Sequence, residues 1–205
     1  MEMAPEELYR TFHDIGFGQI TGVELPGEQA GTLLNRRRWR ASEHATMAYG
    51  YGVAVTPLQL ARAYGVLAED GVMLPISIRK RQKAPSGHRV LPADVVTNIN
   101  VMLEQVVSPE GTAQLANIPA YRVAGKTGTV RKLSSEGGYR DDSYQALFAG
   151  FAPVSDPRFV LVVLIDEPGL DRYYGGEVAA PVFAKIMTDV LRIQGIKIGK
   201  IFDPT

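Results

Sequence analysis

Near Tyr121 the apolar residues of this chain change their spacing, and that change constrains the architecture more than any other feature. Before it, the pattern is helical. In "PEELYRTFHDI", Pro5 to Ile15, a proline stands in the first turn with carboxylates beside it, and Gly16 is a stop signal. Thr56-Pro57 opens a second helix that Gly71 ends, with Leu60, Ala61, Tyr64 and Leu67 on one face. A third is predicted over about 93–107, with Val96, Ile99, Leu103 and Val106 as its stripe. After Tyr121 three strand-like runs follow, at 121–131, 144–152 and 158–166. The short "PVSDP" connection makes the last two an antiparallel hairpin. A final helix over 180–193 can pack back on these strands. The order predicts an α+β fold of antiparallel strands with packed helices. The expected layout is a mainly helical segment with loops over 1–120, a three-strand meander plus C-terminal helix over 121–195, and a loose tail over 196–205.

Composition narrows the function classes. The 205 residues carry 22 basic and 22 acidic side chains, so the basic surplus that nucleic-acid binding requires is missing, and no nucleic-acid partner is expected. There are no cysteines, which excludes disulfides and thiolate metal sites. The longest aliphatic run, "FVLVVLI" at Phe159 to Ile165, is too short to span a bilayer. The basic cluster "NRRRWR" reads as a solvated loop anchored by Trp39.

The stretch "YRVAGKTGTVRK" (121–132) admits two chemistries. Gly125-Lys126-Thr127 matches the end of a phosphate-binding loop, but such a loop needs glycine at position 120, where Ala120 stands. Without glycines its amides cannot wrap phosphates. As a strand, the same residues alternate, with Lys126 and Gly128 on one side and Thr127 and Thr129 on the other. An ammonium and two hydroxyls at a strand edge can hold a carboxylate. Gly128 lets a ligand or another backbone approach, and a backbone N–H beyond it can serve as an oxyanion donor. Taken alone, an ordinary strand with an exposed lysine explains the tripeptide equally well.

Lys-Thr-Gly is also the third motif of serine β-lactamases and penicillin-binding proteins. With it stand "MAYGYGVAVTPLQLARAYGVLAEDG" (47–71), "AGKTGTVRK" (124–132), "YRDDSYQALFAGFAPVSDPRFVLVVLIDEP" (139–168) and "YYGGEVAAPVFAKIM" (173–187). In this order they closely resemble the C-terminal part of the class B penicillin-binding proteins, and most nearly the division-type (FtsI-like) peptidoglycan D,D-transpeptidases. The resemblance spans essentially the whole chain. It implies the C-terminal portion of a β-lactamase/transpeptidase-like fold, a family that acylates a serine with the D-Ala-D-Ala end of a stem peptide and passes the acyl group to an amine. It implies that Lys126 stands beside the nucleophile, that Thr127 and Thr129 bind the carboxylate of substrate or β-lactam across Gly128, and that the Thr129 N–H lines the oxyanion hole. Arg131 would add positive charge, Tyr144, Tyr173 and Tyr174 would form an aromatic wall, and Tyr51 would border the cleft. The partners implied are peptidoglycan stem peptides, β-lactams and division proteins such as a SEDS-type glycan polymerase. The location implied is the periplasmic face of the bacterial inner membrane, through an anchor absent from this chain. No cofactor or metal is implied.

Two further motifs of the family are missing. No Ser-x-Asn occurs, and the one Ser-x-x-Lys match, Ser77 to Lys80, follows Pro75 in a stretch predicted to be extended instead of opening a helix. Gly-x-Ser-x-Gly and His-Glu-x-x-His are also absent. The expectation is therefore one piece of a transpeptidase domain, inactive by itself, with the nucleophile in an upstream segment. The competing reading is a binding module that keeps the penicillin-recognising edge without covalent chemistry.

Overall fold

The computed structural model describes residues 3–34, 39–83, 85–133, 138–169 and 171–198. The chain divides into two compact units, Met1–Pro92 and Ala93–Thr205.

The first unit contains α1 (Pro5–Asp14), β1 (Thr32–Leu33), α2 (Ala41–Met47), β2 (Val53–Ala54), α3 (Pro57–Ala68), β3 (Val72–Met73) and β4 (His88–Arg89). The strands form two small antiparallel ribbons, β1 with β2 and β3 with β4. α3 begins with a reciprocal cap: the Gln59 amide donates to the Thr56 hydroxyl at 3.1 Å, and the Thr56 amide donates to Gln59 Oε1 at 2.8 Å. Gln59 Nε2 then donates to the carbonyls of Gln19 and Ala30 at 2.7 and 2.8 Å. These bonds satisfy a side chain that is only 1% exposed. The face predicted for this helix is rotated as a result. Gln59, Ala63 and Val66 are the buried positions, whereas Leu60, Ala61, Tyr64 and Leu67 are half-buried. Trp39 does act as an anchor, donating from Nε1 to the Leu34 carbonyl and stacking on His44. Asn35 to Arg38, most of the basic cluster, lie outside the described residues.

The second unit contains α4 (Ala93–Gln105), a 3-10 turn at Gln114–Ala116, β5 (Ala124–Leu133), β6 (Tyr139–Ala152), β7 (Phe159–Asp166), α5 (Gly175–Val178) and α6 (Ala180–Ile193). The three strands form one antiparallel sheet in the order β5-β6-β7. Thr127 lies opposite Phe148, Gly128 opposite Leu147 and Thr129 opposite Ala146. One face of the sheet carries the core. Phe148, fully buried, meets Phe183 of α6 edge-on at 4.7 Å, and Met187, Leu191, Ala116 and Ile118 close around them.

Three features differ from expectation. β6 begins at Tyr139 instead of 144, because the polar stretch before Tyr144 pairs through its backbone, with a register shift between Arg131 and Leu133. α4, assigned from sequence to the segment before 121, belongs to the same compact unit as the sheet. It is fastened near β5 by the paired bonds of Arg122 to Glu104, at 2.7 and 2.8 Å. Ile196, placed in the loose tail, is tied down: its carbonyl accepts from the Tyr121 hydroxyl at 2.7 Å, and it packs against the core. Residues 199–205 lie outside the described residues.

Candidate active-site face of β5

Gly125-Lys126-Thr127 sits inside β5, in register with β6, and not in a loop leading into a helix. A phosphate-cradling loop is thereby excluded. β5 is at one edge of the described sheet, so its residues are paired on one side only. Alternation divides them as the sequence predicts. Thr127 and Thr129 share the face of Phe148 and Ala146, while Lys126 and Gly128 oppose Ala149 and Leu147.

The side chains around β5 form one connected array. Lys126 is exposed, and its ammonium curls over the strand to donate to the Thr127 hydroxyl oxygen at 3.0 Å and the Thr127 carbonyl at 3.1 Å. Thr127 Oγ1 also lies 3.4 Å from Thr112 Oγ1. The hydroxyl of Thr129 accepts from the Gly175 amide at 3.1 Å. Both threonine oxygens thus receive protons from neighbours, which leaves their own O–H groups free to point at a ligand. A cleft of about 500 Å3 opens over them, bounded by Thr112, Leu115, Tyr174, Gly176 and Glu177.

Arg131 continues the Thr127–Thr129 row, and its guanidinium lies 5.7 Å from the centroid of the Tyr144 ring, its cross-strand partner. Tyr144 stacks on Tyr173 at 4.1 Å and 15°, and Tyr173 packs against Tyr174 at 4.5 Å. The Tyr173 hydroxyl donates to that of Tyr174 at 3.3 Å, and this bond raises the Tyr173 phenol above its ordinary pKa. The structure therefore brings Lys126, Thr127, Gly128, Thr129, Arg131, Tyr144, Tyr173 and Tyr174 together. Tyr51 belongs to the first unit, where its ring meets Tyr49 at 5.5 Å.

Sequence reasoning missed the part played by Gly175 and Gly176. A Cβ on Gly175 would come within 2.3 Å of the Leu147 carbonyl oxygen, and one on Gly176 within 2.2 Å of the Thr112 carbonyl oxygen. Only glycine lets α5 lie this close to the sheet. The available signal was a glycine pair placed directly before a helix-forming run.

Ser77 is not part of any such array. It lies in an irregular, exposed segment, where its hydroxyl donates to Glu24 Oε1 at 2.6 Å and accepts from the Arg79 amide at 3.1 Å. It caps a loop and lacks the helix start that a Ser-x-x-Lys nucleophile requires. No group of three or more His, Asp or Glu able to hold a metal ion occurs among the described residues. None of their helices is long and apolar enough to cross a membrane.

Residues 1–188 match the family model described as penicillin binding protein transpeptidase domain. The chain belongs to this family. Among members of the penicillin-binding transpeptidases, it is 44% identical over 191 residues to the probable peptidoglycan D,D-transpeptidase PenA of Neisseria gonorrhoeae, covering 93% of this chain and 33% of that protein. To the peptidoglycan D,D-transpeptidase FtsI of Escherichia coli K12 it is 43% identical over 197 residues, covering 96% and 33%. The chain thus spans about a third of the length of these curated relatives. The apo structure of the TP domain of penicillin-binding protein 3 from Burkholderia pseudomallei superposes with a TM-score of 0.89 at 42% identity, covering 96% of this chain and 60% of that one. The α+β transpeptidase-like fold expected from sequence is therefore the fold observed.

Proposed function

We propose that this chain supplies the carboxylate-holding side of a peptidoglycan D,D-transpeptidase site whose nucleophilic serine lies on another segment of the same protein. The observation that carries this reading is the row of Thr127, Thr129 and Arg131 on one face of β5. The two hydroxyls there already accept from Lys126 and Gly175, so they present donors to the cleft. Such a row matches a peptide or β-lactam carboxylate, through charge-assisted hydrogen bonds on a preset geometry.

In the proposed reaction the serine oxygen attacks the carbonyl of the penultimate D-Ala. The C–N bond breaks, the terminal D-Ala leaves with a proton on its amine, and an ester remains. An amine of a neighbouring stem peptide then attacks the ester, restoring the serine hydroxyl and leaving a new amide. Lys126 would hold the protonic network beside the serine, and the Thr129 N–H would face the developing oxyanion, with Gly128 keeping the approach open. Arg131 would add charge for the carboxylate, and Tyr144, Tyr173 and Tyr174 would wall the site. The role of Tyr51 at the cleft border rests on the family resemblance alone. Work at the periplasmic face of the inner membrane, with peptidoglycan as substrate and a SEDS-type polymerase as partner, belongs to the same reading. A non-catalytic binding module is not favoured, since the relatives described above are named as transpeptidases.

The test is covalent labelling with a fluorescent penicillin, read on a denaturing gel and by intact mass. The chain alone is expected to remain unlabelled. Joined to an upstream segment carrying Ser-x-x-Lys it is expected to label, and Lys126→Ala should abolish most of that signal. A stable adduct on this chain alone, or no adduct in the completed domain, would overturn the proposal.

A further inference from the structure

Thr112 does not belong to β5, to the Lys-Thr-Gly motif or to the aromatic wall, yet its hydroxyl oxygen lies 3.4 Å from that of Thr127. Its position is fixed from both sides. Gly111 donates its amide to the Ser108 carbonyl at 2.9 Å, and a Cβ on it would come within 2.1 Å of the Val106 carbonyl oxygen. Ala113 is fully buried and donates its amide to that same Val106 carbonyl at 2.9 Å. Between these two anchored residues Thr112 has little backbone freedom, and its own carbonyl packs over Gly176.

A hydroxyl has one proton and two lone pairs. The Thr127 oxygen takes a proton from the Lys126 ammonium on one lone pair. If Thr112 donates to the other, both lone pairs of Thr127 are occupied, and its O–H can only donate outward, into the cleft. The Thr129 oxygen takes a proton from the Gly175 amide on one lone pair, and Thr127 is the threonine that has a second hydroxyl, that of Thr112, against it. We infer that Thr112 is a positioning residue of the carboxylate site: its hydroxyl turns Thr127 into a committed hydrogen-bond donor toward the ligand carboxylate.

This inference rests on the proposed transpeptidase reading, and the experiment separates the two. The completed domain, this chain joined to the segment carrying Ser-x-x-Lys, is titrated with fluorescent penicillin to give an apparent dissociation constant and a limiting acylation rate. Thr112→Val removes the hydroxyl and keeps the shape, and is expected to weaken the apparent dissociation constant about three- to tenfold, the effect of one hydrogen bond. The limiting acylation rate should stay within about twofold, because the hydroxyl acts on carboxylate binding and not on the oxyanion. Thr112→Ser should restore wild-type binding. With a carboxylate-esterified penicillin, wild type and Thr112→Val should bind alike. Equal loss with acid and ester, or failure of the serine variant to rescue, would show a general packing role and overturn the inference. A wild-type dissociation constant in Thr112→Val would overturn it while leaving the transpeptidase reading intact. No labelling of the wild-type domain would overturn both.

Discussion

The backbone amide of Gly175 donates to the Thr129 hydroxyl across 3.1 Å, and the carbonyl oxygens of Leu147 and Gly128 occupy the space a Cβ on that glycine would need. That contact joins the start of α5 to the Thr127–Thr129 row of β5, and it leaves no room for a side chain. Gly175→Ala would have to push α5 off the sheet. It is expected to destabilise the fold by about 1–3 kcal/mol, the usual cost of overpacking a close contact. A urea midpoint unchanged from wild type would show that α5 yields to the added methyl without cost.

Phe148 is the centre of the core of the second unit, buried on β6 and edge-on to Phe183. Phe148→Ala is expected to cost about 3–5 kcal/mol, combining lost transfer energy with a cavity the rigid sheet cannot close. Denaturation followed by circular dichroism should show the midpoint fall with little change in slope. A loss below about 1 kcal/mol would mean that Phe148 does not hold the helix to the sheet.

Burial pushes the Tyr64 phenol up to about 12. The unfolded chain ionises this group near its ordinary value of about 10. Its raised value means that its contribution to stability is fully present below about pH 10 and is lost as the pH climbs through the folded value. Stability measured against pH should therefore fall between about pH 10 and 12, and Tyr64→Phe should flatten that limb. Identical limbs in the two proteins would remove Tyr64 as the cause.

At the far end of the sheet, Lys132 bridges Asp166 and Glu167 at 2.9 and 3.0 Å, and Gln145 donates to Asp166 at 3.0 Å. The bond from Lys132, followed by that from Gln145, holds the Asp166 carboxyl below the ordinary carboxylate value. A depressed carboxylate contributes stability above its unfolded value of about 3.9 and loses it as pH falls through the folded one. Lys132→Met should raise the Asp166 titration midpoint, read by carboxyl carbon NMR. A midpoint that does not move would assign the depression to Gln145 instead.

Much of this was legible in the sequence where apolar spacing governs. Apolar spacing predicts the final helix over 180–193, and it occupies Ala180–Ile193; the short turn predicts the hairpin of β6 and β7. The alternation of Lys126, Thr127, Gly128 and Thr129 was also readable, because a strand has a period of two. What escaped had other causes. The two-residue strands β1 to β4 are too short to leave a pattern. The early start of β6 is carried by backbone pairing of polar residues, to which hydropathy is blind. α5 opens with two poor helix formers, kept for the closeness they permit, so propensity argued against the helix that is there. The rotated face of α3 comes from a glutamine that is buried because three partners satisfy it, a fact of tertiary structure.

The glycine pair limits how this end of the cleft can change by substitution. With carbonyl oxygens 2.2 and 2.3 Å from where a methyl group would sit, Gly176 and Gly175 are closed to any residue with a side chain. Arg131 and Tyr174 lie on the exposed rim, where a changed side chain meets water and not backbone. Variation in this cleft is therefore open at its rim and closed where helix and strand backbones meet.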